Sequence, residues 1–288
     1  MKWSAFILLL LLPTSYCFAQ PAKEIIGSII DSQTKEGLQY ANIGLPDKNV
    51  GTVSNKEGRF KLVLTGSIHP SDTVFFSHIG YVLKKIAVSD LTRTEIIELT
   101  PDENTLSEVI IKLKTPTPRK IGRTSKGLGL MHSGFYTAYE KEVDDRLSKE
   151  LGMKFKIRKS CKINDLNFNI TSNDFASLKF RVNFYKVEDG SPTTLLVNQD
   201  ILFEIREGYL GWFKVDLKPY GIYLDTETED IAVTIQWIES VKKDAGSKYF
   251  SISTSASPFD TSFSRERTMG TWLKSGQSLS FYLNAMCN

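Results

Sequence analysis

Apolar residues recur at every second position in short runs along the first third of the chain, and turn-forming residues separate the runs. Residues 25–30, 40–45, 59–64, 73–78, 84–88, 95–99 and 108–111 read as strands on this pattern. The run from Gly51 to Leu62 reads as a tight turn between two short strands. Asn55 and Gly58 supply its turn conformations, and Phe60, Leu62 and Leu64 alternate inward. No helical period falls between the runs, so the pattern predicts a β-sandwich rather than a parallel sheet. Its expected core face comprises Ile26, Ile30, Ala41, Ile43, Phe60, Leu62, Val74, Phe76 and Ile97.

The pattern resumes after residue 126. Strands are expected at 132–139, 153–157, 166–170, 178–187, 201–205, 212–217, 231–237, 249–255 and 279–283, with turn signals at 189–192 and 218–221. Residues 140–151 are the one short stretch that reads as a helical or loop insertion. Strands at this spacing with long connections predict a jelly-roll-like double sheet. Between the two regions, residues 113–126 read as a basic, proline-containing linker. Lys112, Lys114, Arg119, Lys120, Arg123 and Lys126 bring six positive charges and no acid accompanies them. The expectation is a solvated spacer kept extended by proline and self-repulsion. The alternative is a contact with anionic headgroups or surface glycans, at about 1 kcal/mol per charge.

The first region carries a succession of linked motifs. These are Ile26-Gly27-x-Ile29-x-Asp31, Gly37-Leu38-x-x-Ala41-Asn42-Ile43, Gly51-Thr52, Asn55-x-x-Gly58-x-Phe60-x-Leu62 and Ser77-x-Ile79-Gly80-Tyr81. The ending Leu99-x-Pro101 to Leu106-x-Glu108-Val109-Ile110-Ile111 completes them. Together they resemble the carboxypeptidase-regulatory-like domain, in the version typical of Bacteroidetes proteins, over residues 23–112. The resemblance implies a seven-stranded, transthyretin-like sandwich in the cell envelope, with no catalytic residue of its own. In that family the domain often precedes a TonB-dependent receptor. The roughly 175 residues that follow here are too few for a 22-stranded barrel, whose strands need about 10 residues each. The expected architecture is therefore all-β: the transthyretin-like sandwich over residues 20–112, the linker, and the jelly-roll-like domain over 127–288.

Residues 1–19 read as a signal peptide, with Lys2 as the charged start, an apolar run from Ala5 to Leu12, and Cys17-Phe18-Ala19 before the cleavage point. That run is shorter than the about 20 residues a membrane helix needs, and no later stretch is apolar enough. Tyr16 is bulky where a lipidated Cys17 would want a small neighbour. The expectation is an exported protein, in the periplasm or at the outer membrane or cell surface. Loss of Lys2 with the signal takes the net charge from +3 to +2, which gives no general argument for a nucleic-acid partner. Cys161 and Cys287 then remain, either as a disulfide or as two independent buried thiols.

Chemistry is sparse. No Gly-x-Ser-x-Gly elbow is present, and His132 has no identifiable partner for a base. The acids Asp225, Glu227, Glu229 and Asp230 share one polar turn and read as a solvated loop. Asn164, Asp165, Asn169, Asn173 and Asp174 lack the spacing of a calcium loop, and no histidine or cysteine pair has metal-ligand spacing. No cofactor or metal is expected. Aromatics are more plentiful: Trp212, Trp272, Tyr209 and Tyr220 are the candidates for an exposed ligand-binding set, whereas Trp237 follows Val233 and Ile235 at period two and reads as core. The leading expectation is a non-enzymatic binding or assembly module engaging another envelope protein. Glycan binding through the second domain's aromatics comes next, and a hydrolase last.

Overall fold

The computed structural model describes residues 23–91, 94–103, 115–127, 131–136 and 148–288. The expected signal peptide, the strand at 108–111 and most of the 140–151 insertion lie outside these residues. Within them the chain forms 22 strands in four sheets.

Seven strands build the first region: β1 (Lys23–Asp31), β2 (Asn42–Leu45), β3 (Val50–Val53), β4 (Arg59–Leu64), β5 (Thr73–Ser77), β6 (Lys84–Ala87) and β7 (Thr94–Leu99). One sheet has the order β4-β1-β7 and the other β3-β2-β5-β6. The β1–β7 pair is parallel and the rest are antiparallel. The Asn55 turn forms as its residue types require. Asn55 Oδ1 accepts the backbone N–H groups of Glu57 and Arg59, and Gly58 sits at φ +78°.

Of the expected core, Ala41, Ile43, Phe60, Leu62, Val74, Phe76 and Ile97 are buried. Ile26 and Ile30 are not: β1 presents Ile25, Gly27, Ile29 and Asp31 inward, leaving Ile26 half exposed. Four isoleucines at 25, 26, 29 and 30 make either phase equally apolar. Phe60, the cross-strand partner of Gly27, breaks the tie by filling the space a Gly27 side chain would need; a Cβ there would lie 2.8 Å from its ring.

The second region contains β8 (Thr117–Gly122), β9 (Met131–Tyr136), β10 (Glu150–Lys156), β11 (Cys161–Asn173), β12 (Phe175–Glu188), β13 (Ser191–Leu195), β14 (Ile201–Arg206) and β15 (Gly211–Asp216). It continues through β16 (Tyr223–Leu224), β17 (Asp230–Lys242), β18 (Tyr249–Ala256), β19 (Ser262–Arg265), β20 (Leu273–Ser275), β21 (Gln277–Leu279) and β22 (Phe281–Cys287). A seven-stranded sheet runs β13-β12-β17-β10-β19-β20, with β14 also on β12. An eight-stranded sheet runs β21-β18-β11-β22-β8, with β15 and β16 on β11 and β9 on β18. Their inner faces share one core, in which Phe180 of β12 meets Phe250 of β18 at 5.0 Å between ring centroids. The double sheet is thus present. The linker reading fails for β8, which pairs antiparallel with β22 from Tyr282↔Gly122 to Cys287↔Thr117. Pro118 is tolerated because β8 lies at the sheet's edge. Arg123 is also fixed, donating to Ser278 O at 2.6 Å and to Ser255 Oγ.

The two outer faces of this double sheet have different fates. Residues of the first region lie against the outer face of the seven-stranded sheet. There Arg181 Nη2 donates to Tyr40 O at 2.9 Å, Gln236 Nε2 donates to Asn42 Oδ1 at 2.8 Å, and Tyr40 Oη donates to Glu239 at 3.0 Å. A glycine pair, Gly44 opposite Gly51, lets the 268 loop approach; a Cβ on either would stand within 3.0 Å of Thr268 O. That face also buries polar groups on purpose. Glu150 accepts from Asn183, Thr234 and Arg265 and is fully excluded from solvent. One face is therefore spent on docking.

Candidate functional site

The other outer face belongs to the eight-stranded sheet and centres on β11. Inward alternation of Leu166, Phe168 and Ile170 turns Asp165, Asn167 and Asn169 outward. On β22, Phe281, Leu283 and Ala285 point inward and Tyr282 and Asn284 outward. Register then assembles cross-strand rows. Trp212 of β15 stands beside Asn169; Lys214 beside Asn167 and Tyr282; Asp216 beside Asp165 and Asn284, with Lys120 of β8 next in line. Lys162 continues the face beside Tyr223.

Trp212 and Tyr282 lie on strands separated by β11, a gap of roughly 10 Å at the usual strand spacing. Their ring centroids are nevertheless 5.1 Å apart, edge to face at 67°. The two rings therefore lean together over β11. This roof accounts for the near-complete burial of Asn167 and Asn169, 5% and 4% exposed, on an outward-facing row. Asn167 Nδ2 donates to Asp165 Oδ1, and Asn284 Nδ2 donates to the same oxygen at 2.6 Å. The Lys120 ammonium lies 5.3 Å from the Tyr282 ring centroid. Burial first, and then the nearby Asp165 charge, raise the Tyr282 phenol above the usual tyrosine range, so it stays a hydrogen-bond donor through neutral pH. The result is an aromatic pair bordered by amides, carboxylates and ammonium groups on a regular sheet.

The four aromatic candidates do not converge. Tyr209 adjoins the face: its hydroxyl donates to Trp212 O at 2.7 Å, and its ring meets Phe213 at 5.1 Å. Tyr220 packs against the inner core from a short 3-10 turn. Trp272 lies on the other sheet, against Tyr185 and under the Arg265 guanidinium, 4.3 Å from its ring centroid. Burial, and then the Glu150 charge, hold the Tyr185 phenol far above its ordinary range. Burial opposes the charge of Arg265, but Glu150 and Tyr185 outweigh it and keep the guanidinium firmly protonated. Trp272 thus caps a buried ion pair.

The remaining polar candidates are spent on structure. Asp225 Oδ1 accepts from Glu227 and Thr228, while Glu229 and Asp230 pair with Lys156 and Lys154. Asn173 donates to Arg206 O, and Asp174 accepts from Tyr249 N. His132 Nδ1 lies 3.0 Å from Thr171 Oγ1. Among the described residues, no group of three or more His, Cys, Asp or Glu side chains could hold a metal ion. Cys161 and Cys287, cross-strand partners on β11 and β22, are joined as a disulfide.

Tyr282, Asn167, Asn284, Lys214 and Lys162 are members of the face that sequence reasoning missed, and Lys120 was named there only as a linker residue. Period two could have turned each outward, but the pairing of β15, β11, β22 and β8 is long-range.

Residues 25–111 match the family described as CarboxypepD_reg-like domain. The first region is such a domain. Its Asp31 and Tyr81 motif residues meet directly, Tyr81 Oη donating to Asp31 Oδ2 at 2.7 Å. No curated protein matches the sequence. Among solved structures, a candidate carbohydrate binding protein from Bacteroides uniformis is 11% identical, covering 90% of this chain and 99% of its own, with a TM-score of 0.23. The major pilin subunit BcpA of Bacillus cereus is 11% identical, with 90% and 68% covered and a TM-score of 0.19. The T13 particle of the virus IBDV gives 10% identity, 94% and 74% coverage and a TM-score of 0.28. These scores carry no argument about fold or ligand.

Proposed function

We propose that the chain is an exported, non-enzymatic binding module that takes a glycan on the outer face of the eight-stranded sheet. The observation that carries this reading is the Trp212–Tyr282 pair, set among Asp165, Asn284, Lys120 and Lys214. A sugar ring presents an apolar face with hydroxyls around its edge. Aromatic rings beside fixed amide, carboxylate and ammonium groups match both parts of that surface. The regulatory-like domain supports the other outer face and leaves this one for the ligand. A glycan array probed with residues 20–288 tests the reading. Selective binding to a limited set of oligosaccharides is expected, and a blank array would contradict it.

A second reading, assembly with another envelope protein, is favoured by the outer face of the β4-β1-β7 sheet. There Ile26 and Ile96, on adjacent strands, are 50% and 68% exposed. In-cell crosslinking from that face would trap a specific envelope partner if this reading holds.

A further inference from the structure

The charges around the aromatic pair are not balanced. Lys120, Lys162 and Lys214 project onto the face from three strands, β8, β11 and β15. Lys120 and Lys162 are held against it by the rings of Tyr282 and Tyr223, at 5.3 and 5.5 Å from the centroids. Among the described residues, none of the three ammonium groups has a carboxylate within ion-pair distance. The two aspartates on the face already accept from protein donors. Asp165 Oδ1 takes the amides of Asn167 and Asn284, and Asp216 Oδ1 takes the backbone N–H of Lys218 at 3.1 Å. Those neutral donors satisfy the two carboxylates without discharging them, so the face carries three lysines to two aspartates, with Lys120 and Lys214 flanking the aromatic pair and Lys162 further along β11.

We infer that the ligand is an acidic glycan, a chain whose sugar rings carry carboxylates, with Lys120 and Lys214 reading those carboxylates on either side of the Trp212–Tyr282 pair. This inference rests on the glycan reading above and narrows it. Strands β15 and β8 are three strand spacings apart, about 14 Å. That span exceeds one sugar ring and suits an oligosaccharide lying across the strands. Ammonium groups at its two ends supply point charges and three donors each, which suit carboxylates in varied orientation better than a rigid fork would. The face is solvated at its rim, so the attraction is screened and the preference falls with salt.

The test is isothermal titration of residues 20–288 with a set of uronate oligosaccharides and their methyl esters. The esters keep shape and stacking and remove only the charge. The expected result is binding of at least one uronate that drops about ten-fold on esterification at low ionic strength, a preference that salt diminishes. Lys120→Ala/Lys214→Ala should bring acid and ester to equal affinity, the acid losing about ten-fold more than the ester, and Trp212→Ala should weaken both forms alike. Equal affinity for acid and ester would overturn the acidic inference and leave the glycan reading standing. No binding of either form, beside a positive array for neutral glycans, would do the same. No binding anywhere would remove both. Binding confined to phosphatidylglycerol vesicles would also overturn the inference, since the charge would then be read on a lipid surface.

Discussion

Glu150 Oε2 and Arg265 Nη2 are 2.6 Å apart, with the Glu150 carboxylate wholly excluded from solvent. The pair ties β10 to β19 and lies beneath Trp272. Breaking such a pair from one side leaves an uncompensated buried charge. Arg265→Met should therefore lower stability by about 3–5 kcal/mol, read as the midpoint of urea unfolding. A change below about 0.5 kcal/mol, the scale of an ordinary surface substitution, would show that the carboxylate is not held as described.

The glycine pair at the docking contact makes a separate prediction. A Cβ on Gly44 would come within 2.7 Å of Thr268 O, and one on Gly51 within 2.9 Å. Gly44→Ala should overpack this contact at a cost of about 1–3 kcal/mol. Amide hydrogen exchange near residues 266–270 should speed up in the variant. Unchanged exchange there would argue against the close approach.

Cys161 and Cys287 are 126 residues apart in sequence and directly opposite in register. The bond fixes β22 against β11, and with it Tyr282 against Asn167. Closing a loop of this length stabilises by about 4–5 kcal/mol in the chain-entropy account. Thiol titration of residues 20–288, denatured without reductant, should find no free thiol, and reduction should lower the melting temperature. Two titratable thiols before reduction would contradict the bridge.

Much of the fold was legible because period-two patterning reports which face of a strand is dry. Phe60, Leu62, Val74 and Phe76 followed it directly. It could not phase β1, where neighbouring isoleucines are interchangeable and only Phe60 over Gly27 decides. It also shortened β12 and β17. Their outer residues Arg181, Asn183, Thr234 and Gln236 look solvent-facing, yet all four are buried, Arg181 and Gln236 bonding to Tyr40 and Asn42 of the first region and Asn183 and Thr234 to Glu150 of β10. β8 was hidden by its proline and its basic residues. The candidate face was half legible: Trp212 stood out by residue type, whereas Tyr282 reaches it only through strand pairings that local sequence does not encode.

Acid stability follows from Asp31. Hydrogen bonds from the Thr34 backbone, the Tyr81 hydroxyl and the Gln33 backbone hold its carboxyl below the ordinary carboxylate range. A group depressed in the folded state stabilises above its unfolded pKa of about 3.9, and that contribution is lost as pH falls through the folded value. The melting temperature should decline below about pH 4, with a shallower decline in Asp31→Asn, which is less stable at neutral pH. Parallel curves for the two proteins would remove Asp31 from the account.

Trp212 and Trp272 are matched by residue type but lie on opposite sheets, one over the amide row and one over the buried ion pair. Probing one glycan array with wild-type residues 20–288, Trp212→Ala and Trp272→Ala, each confirmed folded, separates their roles. The account predicts selective wild-type binding that is lost in Trp212→Ala and kept in Trp272→Ala. Binding that survives in Trp212→Ala, or that disappears only in Trp272→Ala, would contradict the assignment of the ligand to the eight-stranded sheet.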